Sequence, residues 1–296
     1  MTDLLQHYIQ LLPFPALDAN KYSRGKAVVC AGSASYPGAA LMASVATQLV
    51  GSGYTEVFTD AANIGILQTG RASLVVRAFS ACHPRQIFSE HHPGALLAGS
   101  GMDDQDAPAR ALVNKLIERV DKPIVLDGGA LSFATHKKTY ALLLDRARRE
   151  QITVLTPHAG EAARLAQPFG IPIGVDPERD ARALSQAYGA LVVLKGPNTV
   201  IANNDETHII TSGTSALAKA GTGDVLAGMI AGLLAQGLDP LGAALLGVEL
   251  HAQAGIVASQ KVGPISVCAE DVLWAIPGAI GVLTAHAHAQ NWAEDT

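Results

Sequence analysis

Charged side chains make up only 16% of this 296-residue chain, and no run of Lys or Arg exceeds two residues. With 21 basic against 26 acidic residues the net charge is −5. Binding to nucleic acid needs a basic stripe that displaces counterions, so that partner class is excluded. Cysteine is scarce: Cys30, Cys82 and Cys268 are an odd count with no C-x-x-C pair. A disulfide framework and a structural zinc site are therefore not expected, and a reducing, cytoplasmic location is. No stretch reaches the ~18 uninterrupted apolar residues of a membrane span. The greasy segment 221–234 is broken by Asp224 and reads as a buried helix. The first ten residues carry neither a basic n-region nor a long apolar run, so no leader and no membrane partner are expected. His91-His92 and the His286/His288 pair lack Cys or carboxylate partners at ligand spacing and read as surface features.

What is present is apolar and rich in glycine. Hydrophobic residues reach 49%, with 29 glycines, many at apparent strand-to-helix turns. That composition is globular. A chain of this length buries about 75% of its unfolded surface. Short apolar runs alternate with helical patterns: strands are expected at 26–32, 54–60, 95–98, 123–127, 153–156 and 191–195, and helices at 38–50, 107–120 and 180–188. Segments 199–202 and 208–211 flank Asn203-Asn204-Asp205, a hairpin turn. Helices then fill 221–236, 242–260 and 269–284, and the polar tail after Ala285 is expected to be loose. The pattern predicts an α/β chain with a mostly parallel central sheet, helices on both faces, a late antiparallel hairpin at one edge and a helical C-terminal third. No linker, repeat or low-complexity block interrupts it, so residues 1–296 are expected to form a single domain with its core at about 25–280.

The chemistry is concentrated in a few segments. In 218–228 (AKAGTGDVLAG), Gly221, Thr222 and Gly223 precede an Asp that opens an apolar helix. Free N–H groups and the positive end of a helix dipole suit a phosphate or a developing phosphoryl charge. Asp224, beside them, is placed to take a proton from a hydroxyl attacking phosphorus. The same spacing is compatible with an ordinary N-cap in a tight turn. In 191–201 (LVVLKGPNTVI), Lys195 ends a buried strand, where open α/β sheets bind ligands; a solvated lysine is the alternative. In 155–161 (LTPHAGE), His158 stands at the same crevice as a substrate contact, a proton carrier or a structural group, and Glu161 complements a helix dipole. Asp127 closes the strand in 125–131 (VLDGGAL), at a position that commonly meets a hydroxyl, a metal or a partner loop. Glycine turns follow two further strands, at 31–40 (AGSASYPGAA) and 98–101 (AGSG); neither is a G-x-G-x-x-G dinucleotide fingerprint.

Together these segments, in this order from about residue 25 to 278, resemble the ADP/ATP-dependent NAD(P)H-hydrate dehydratase family of the ribokinase-like superfamily. The most specific match is AGTGDVLAGMIAGLLAQG at 220–237. The resemblance implies a three-layer α/β/α sandwich and a substrate that is the S epimer of hydrated NADH or NADPH. It also implies ADP (or ATP) as co-substrate, Mg2+, and loss of the ring hydroxyl as phosphate, with AMP as the second product. By the same resemblance Asp224 would contact the substrate hydroxyl and act as base. Lys195, Gly196, Pro197, Asn198 and Thr199, with Gly221, Thr222 and Gly223, would bind the adenine nucleotide. Ala39, Gly101 and His158 would line the hydrated-nicotinamide side. A homotetramer and a separate NAD(P)H-hydrate epimerase would be the partners. Three motifs depart from the family pattern: Ala159 stands in TPHPGE, Ala220 before GTGD, and Gly128-Gly129 in LDADAL. Two other readings share the glycine–aspartate turn. One is a small-molecule kinase of the same fold acting on hydroxyethylthiazole or a hydroxymethylpyrimidine; the other is a non-catalytic adenylate-binding module.

Overall fold

The computed structural model describes residues 3–204 and 206–294, with side chains from 6 to 285 apart from residue 205. Its strands are β1 (Lys26–Cys30), β2 (Tyr54–Thr59), β3 (Val75–Ala78), β4 (Gly94–Ala98), β5 (Ile124–Leu126), β6 (Thr153–Leu155), β7 (Leu191–Leu194), β8 (Thr199–Asn203) and β9 (Glu206–Ile210). Its helices are α1 (Asp3–Gln10), α2 (Pro37–Leu49), α3 (Ile64–Gly70), α4 (Ala107–Arg119), α5 (Gly129–Ala134), α6 (Lys137–Arg148), α7 (Ala159–Ala166), α8 (Pro177–Tyr188), α9 (Thr222–Ala235), α10 (Pro240–Val262) and α11 (Ala269–Glu294).

The strands form one sheet in the order β3-β2-β1-β4-β5-β6-β7-β8-β9. Pairing is parallel from β3 through β7 and antiparallel at β7/β8 and β8/β9, so the hairpin lies at the edge where the sequence placed it. Its turn includes Asn204; residue 205 lies outside the described residues. Both faces of the inner strands are covered, which is why they read as continuous apolar runs. Val29, Leu97, Val125 and Val193 face a layer made by α2, α9, α10 and α11. Their neighbours Val28, Leu96, Leu126 and Val192 face the opposite layer, with Val113 of α4, Phe133 of α5 and Leu184 of α8.

Helix α9 approaches α2 closely because Gly228 has no side chain. A Cβ there would stand 2.2 Å from the Ala43 carbonyl oxygen. This backbone-on-backbone contact fixes where the first turn of α9 meets the sheet.

The strand order reverses between β1 and β4, and such a switch point opens a crevice beyond the carboxyl ends of the strands. There the two following loops are joined by backbone bonds, Gly32 N–H to Ser100 O and Ser33 N–H to Gly101 O, both 2.8 Å. One expectation is corrected: the segment after Ala285 is not loose but continues α11 to Glu294. Its Ala- and Gln-containing sequence has no Gly or Pro after Gly281 to end the helix. The side chains of His286 and His288 lie outside the described residues, whereas His91 and His92 are exposed as expected, with His92 stacked on Tyr22.

Candidate active site

The site is assembled from the ends of β4, β5, β6 and β7 and the start of α9. Gly99 turns the chain after β4 with φ +113°, and a Cβ on it would lie 2.0 Å from the Asp127 carbonyl oxygen. Glycine is therefore required both for the left-handed backbone and for the close approach. The turn delivers Ser100, whose hydroxyl donates to Asp127 Oδ2 at 3.0 Å. Asp127 is buried and also accepts from the Thr156 hydroxyl (2.7 Å) and from Lys195 Nζ (2.9 Å), both at Oδ1. Each of these groups sits one or two residues beyond the end of its strand.

Lys195 is the one ammonium in this cluster. Its side chain is largely buried, and Nζ lies 3.9 Å from Glu161 Oε2. Burial acts to lower its pKa, but Asp127 and Glu161 outweigh that and hold it above the ordinary lysine range. An added Cβ at Gly223 would stand 3.3 Å from the same Nζ, so the lysine and the α9 turn are in contact.

Gly221 occupies the N-cap of α9 with φ +92° and provides no side-chain cap. Asp224 is therefore not the N-cap but the third residue of the helix, on its acidic first turn. Burial pushes its carboxyl up to about 7, and the negative charges of Asp127 and Glu161 add to this. Lys195 and a hydrogen bond from Ser100 act in the opposite direction. A single hydroxyl proton serves one carboxylate at a time, so Ser100 links Asp127 to Asp224 rather than satisfying both. The result is a carboxylate poised near neutral pH, a requirement for a general base.

His158 caps α7. Its Nδ1 accepts from the backbone N–H of Gly160 (3.0 Å) and Glu161 (3.4 Å), and Glu161 returns a bond to the His158 N–H at 2.8 Å, completing a capping box. Because Nδ1 is an acceptor, the ring hydrogen resides on Nε2, 3.6 Å from Glu161 Oε2. The ring is half exposed at the crevice. Glu161 does more than complement the helix dipole, since it connects His158 to Lys195.

Lys195, Gly196, Pro197, Thr199, Thr222 and Gly223 share the wall of a cavity of about 510 Å³. Asn198 is exposed and does not line it; Gly221 forms the turn behind it. Ala39 and Gly101 come together on the other side of Ser100, where a Cβ on Gly101 would lie 2.5 Å from that of Ala39. Next to them a second cavity of about 410 Å³ opens between Ser33, Asp60 and Met102. Sequence reasoning missed Ser100, Thr156 and His251, the last in the wall of the larger cavity. Ser100 was recoverable from its glycine-flanked position after a strand. Among the described residues no group of three His, Cys, Asp or Glu could hold a metal ion.

A glycine-turned helix start, a buried lysine and a neutral-range carboxylate meet at one edge of the sheet in a ribokinase-like α/β fold. Residues 27–278 match the sequence profile of NAD(P)H-hydrate dehydratase, and the chain belongs to that family. It is 31% identical over 288 residues to the ADP-dependent (S)-NAD(P)H-hydrate dehydratase of Xanthomonas campestris, covering 90% of this chain and 92% of that one. It is 32% identical to the bifunctional NAD(P)H-hydrate repair enzyme of Escherichia coli K12, but the match covers 86% of this chain and only 47% of that protein. The crystal structure of the ADP/ATP-dependent NAD(P)H-hydrate dehydratase from Bacillus subtilis, co-crystallised with ATP and Mg2+, superposes with a TM-score of 0.80. It is 27% identical and covers 94% of this chain and 97% of that one.

Proposed function

We propose that this chain uses ADP to dehydrate the S epimer of hydrated NADH or NADPH, restoring the reduced dinucleotide and releasing AMP and phosphate. The observation that carries the reading is Asp224, raised to about 7 on the first turn of α9, between the Lys195 cavity and the Ser100–Gly101 turn.

The nucleotide would occupy the 510 Å³ cavity, within the usual size range for such ligands. Its terminal phosphate would meet Lys195 and the free N–H groups of α9. The hydrated ring would lie on the Gly101, Ala39 and His158 side, with its hydroxyl at Asp224. Asp224 takes the hydroxyl proton as the oxygen attacks the β-phosphorus; the new P–O bond forms as the bond to AMP breaks. Lys195 and the helix N-terminus balance the charge that develops on phosphorus. The ring C–O bond then breaks with phosphate as leaving group, and a ring proton is lost to give the reduced nicotinamide. Hydroxide is a poor leaving group and phosphate a good one, which is the reason a kinase-like site can run a dehydration.

Mg2+ fits this arrangement through the nucleotide rather than through a protein cage. Asp127 is committed to three donors and Asp224 to the substrate hydroxyl. Glu161, engaged only through Oε2, is the carboxylate left for the ion. Bound there, the ion would neutralise phosphate charge. A cytoplasmic homo-oligomer is part of the same reading, supported by apolar side chains left exposed near the C-terminal helices, Ile265 and Trp274.

The test is stoichiometric. Purified protein with hydrated NADH and ADP should yield NADH, AMP and phosphate in equal amounts, with no turnover on hydroxyethylthiazole or a hydroxymethylpyrimidine. A stable phosphorylated alcohol as product, or NADH formation independent of nucleotide, would refute the reading.

A further inference from the structure

Glu249 stands in the middle of α10 and is only 3% exposed. Its Oε1 accepts from Gln253 Nε2 at 2.9 Å, and its Oε2 accepts from the Ser212 hydroxyl. A carboxylate withdrawn from water is costly unless hydrogen bonds replace its hydration, and bonds to such an acceptor are stronger than those between neutral groups. Gln253 lies one turn along the same helix, so the Ser212 bond is the one that reaches out of α10. Ser212 is the second residue beyond β9, and the next three residues, Gly213, Thr214 and Ser215, line the 510 Å³ cavity. Among the described residues this is the only hydrogen bond that joins 212–214 to another part of the fold. Packing does not replace it there: a Cβ on Gly213 would meet nothing nearer than the Pro197 carbonyl oxygen, at 3.9 Å. The far end of the loop is held separately. Leu217 rests against Gly255 of α10, where a Cβ would stand 2.7 Å from its side chain, and its carbonyl accepts from the Thr222 hydroxyl at 2.8 Å on the first turn of α9.

We propose that Glu249 is a positioning residue for the co-substrate: through Ser212 it holds the 213–215 wall of the cavity in place against ADP. The inference rests on the assignment of this cavity to ADP. Glu249 itself touches neither substrate. Because the Leu217 end of the loop has its own anchors on α9 and α10, the seat of Asp224 does not depend on the Ser212 bond. Loosening that bond therefore weakens nucleotide binding in ground state and transition state alike, which raises KM and leaves kcat in place.

Steady-state kinetics on the purified protein test this, with ADP and hydrated NADH varied in turn and Tm recorded for each variant. Ser212→Ala is expected to raise KM for ADP about tenfold, the worth of about one hydrogen bond, with kcat and KM for the hydrate within about twofold of wild type. Glu249→Gln retains an acceptor for the Ser212 hydroxyl and should raise KM for ADP only about threefold. The double variant should be no worse than Ser212→Ala alone, since both changes act through one bond. Neither variant empties the core, so the comparison does not depend on Glu249→Ala, which leaves two donors unpaired. An unchanged KM for ADP in Ser212→Ala, while ADP still drives turnover, overturns the role of Glu249 and leaves the cavity assignment standing. So do a loss that falls on kcat and both KM values together with Tm, and effects of the two changes that simply add. If wild type turns over the hydrate without ADP, or not at all, the nucleotide assignment of the cavity fails, and the role of Glu249 with it.

Discussion

Strands β5 and β6 carry a buried charge at each end, and the two ends treat it in opposite ways. At their start, the fully buried Arg146 donates to the carbonyl oxygens of Lys122 and Ile152 (both 3.0 Å), of Ile117 (3.3 Å) and of Val120. Burial draws its pKa down only to about 10, so it remains charged at neutral pH. At their other end, the carboxylates Asp127, Glu161 and Asp224 share Lys195, and burial raises Asp224 from 3.8 to about 7. The difference is one of satisfaction. Fixed carbonyl dipoles surround Arg146 and make it a staple, whereas Asp224 is left under-solvated and short of partners until a substrate arrives. Stability is concentrated at one edge of the sheet and reactivity at the other.

Replacing Asp224 should sharpen that contrast most. Asp224→Asn is expected to lower turnover about 10³-fold, the middle of the range for a lost general base, while ADP affinity by calorimetry stays within about threefold. The folded-state pKa of Asp224 lies above its ordinary value, so the favourable contribution of its protonated form is lost as pH rises through about 7. Asp224→Asn should therefore be more stable than wild type at pH 8. The gain is on the order of 1–3 kcal/mol after solvent screening, and it shrinks toward pH 5. Thermal unfolding at the two pH values checks the sign.

Arg146→Ala should do the reverse. It strips buried carbonyls of their donor and leaves a cavity, so urea unfolding is expected to show a loss of about 3–4 kcal/mol, with kcat per folded molecule nearly unchanged. Gly228→Ala tests whether the seat of α9 couples the two properties. A methyl 2.2 Å from the Ala43 oxygen forces α9 away from α2, costing about 1–3 kcal/mol and lowering kcat as Asp224 moves. Asp127→Asn should have the smallest effect on rate. It removes a negative charge that raises Asp224, so the acid limb of the pH–rate profile is expected to move down by about one unit.

Much of this was legible in the sequence because local rules and the global fold agree. Strands with both faces buried read as apolar runs, and the 199–210 hairpin announced itself by its asparagines. The Gly221–Asp224 turn and the strand-end residues Asp127, His158 and Lys195 followed from the rule that such sheets bind at their carboxyl ends. What stayed hidden depends on tertiary placement. Helix α6 was not anticipated, and among its charges Lys137, Lys138, Arg146 and Arg148 nothing in the sequence singles out Arg146, which is fully buried among its carbonyl partners. Strand β3 is short, only partly buried and contains Arg77, so its apolar pattern is weak. Ser100 and Thr156 look like ordinary turn residues until the sheet brings them to Asp127. His251 is one of several polar residues in the helix expected at 242–260, and nothing in its spacing marks the cavity.

The central claim is that burial and neighbouring charges, rather than the ordinary chemistry of a carboxyl, set the state of Asp224. It is tested most directly by the pH dependence of kcat/KM for hydrated NADH at saturating ADP. The rate should follow the ionised fraction of Asp224, half-maximal near pH 7, and the limb should vanish in Asp224→Asn. A half-maximum near pH 4, or an unchanged limb in the variant, would contradict the account.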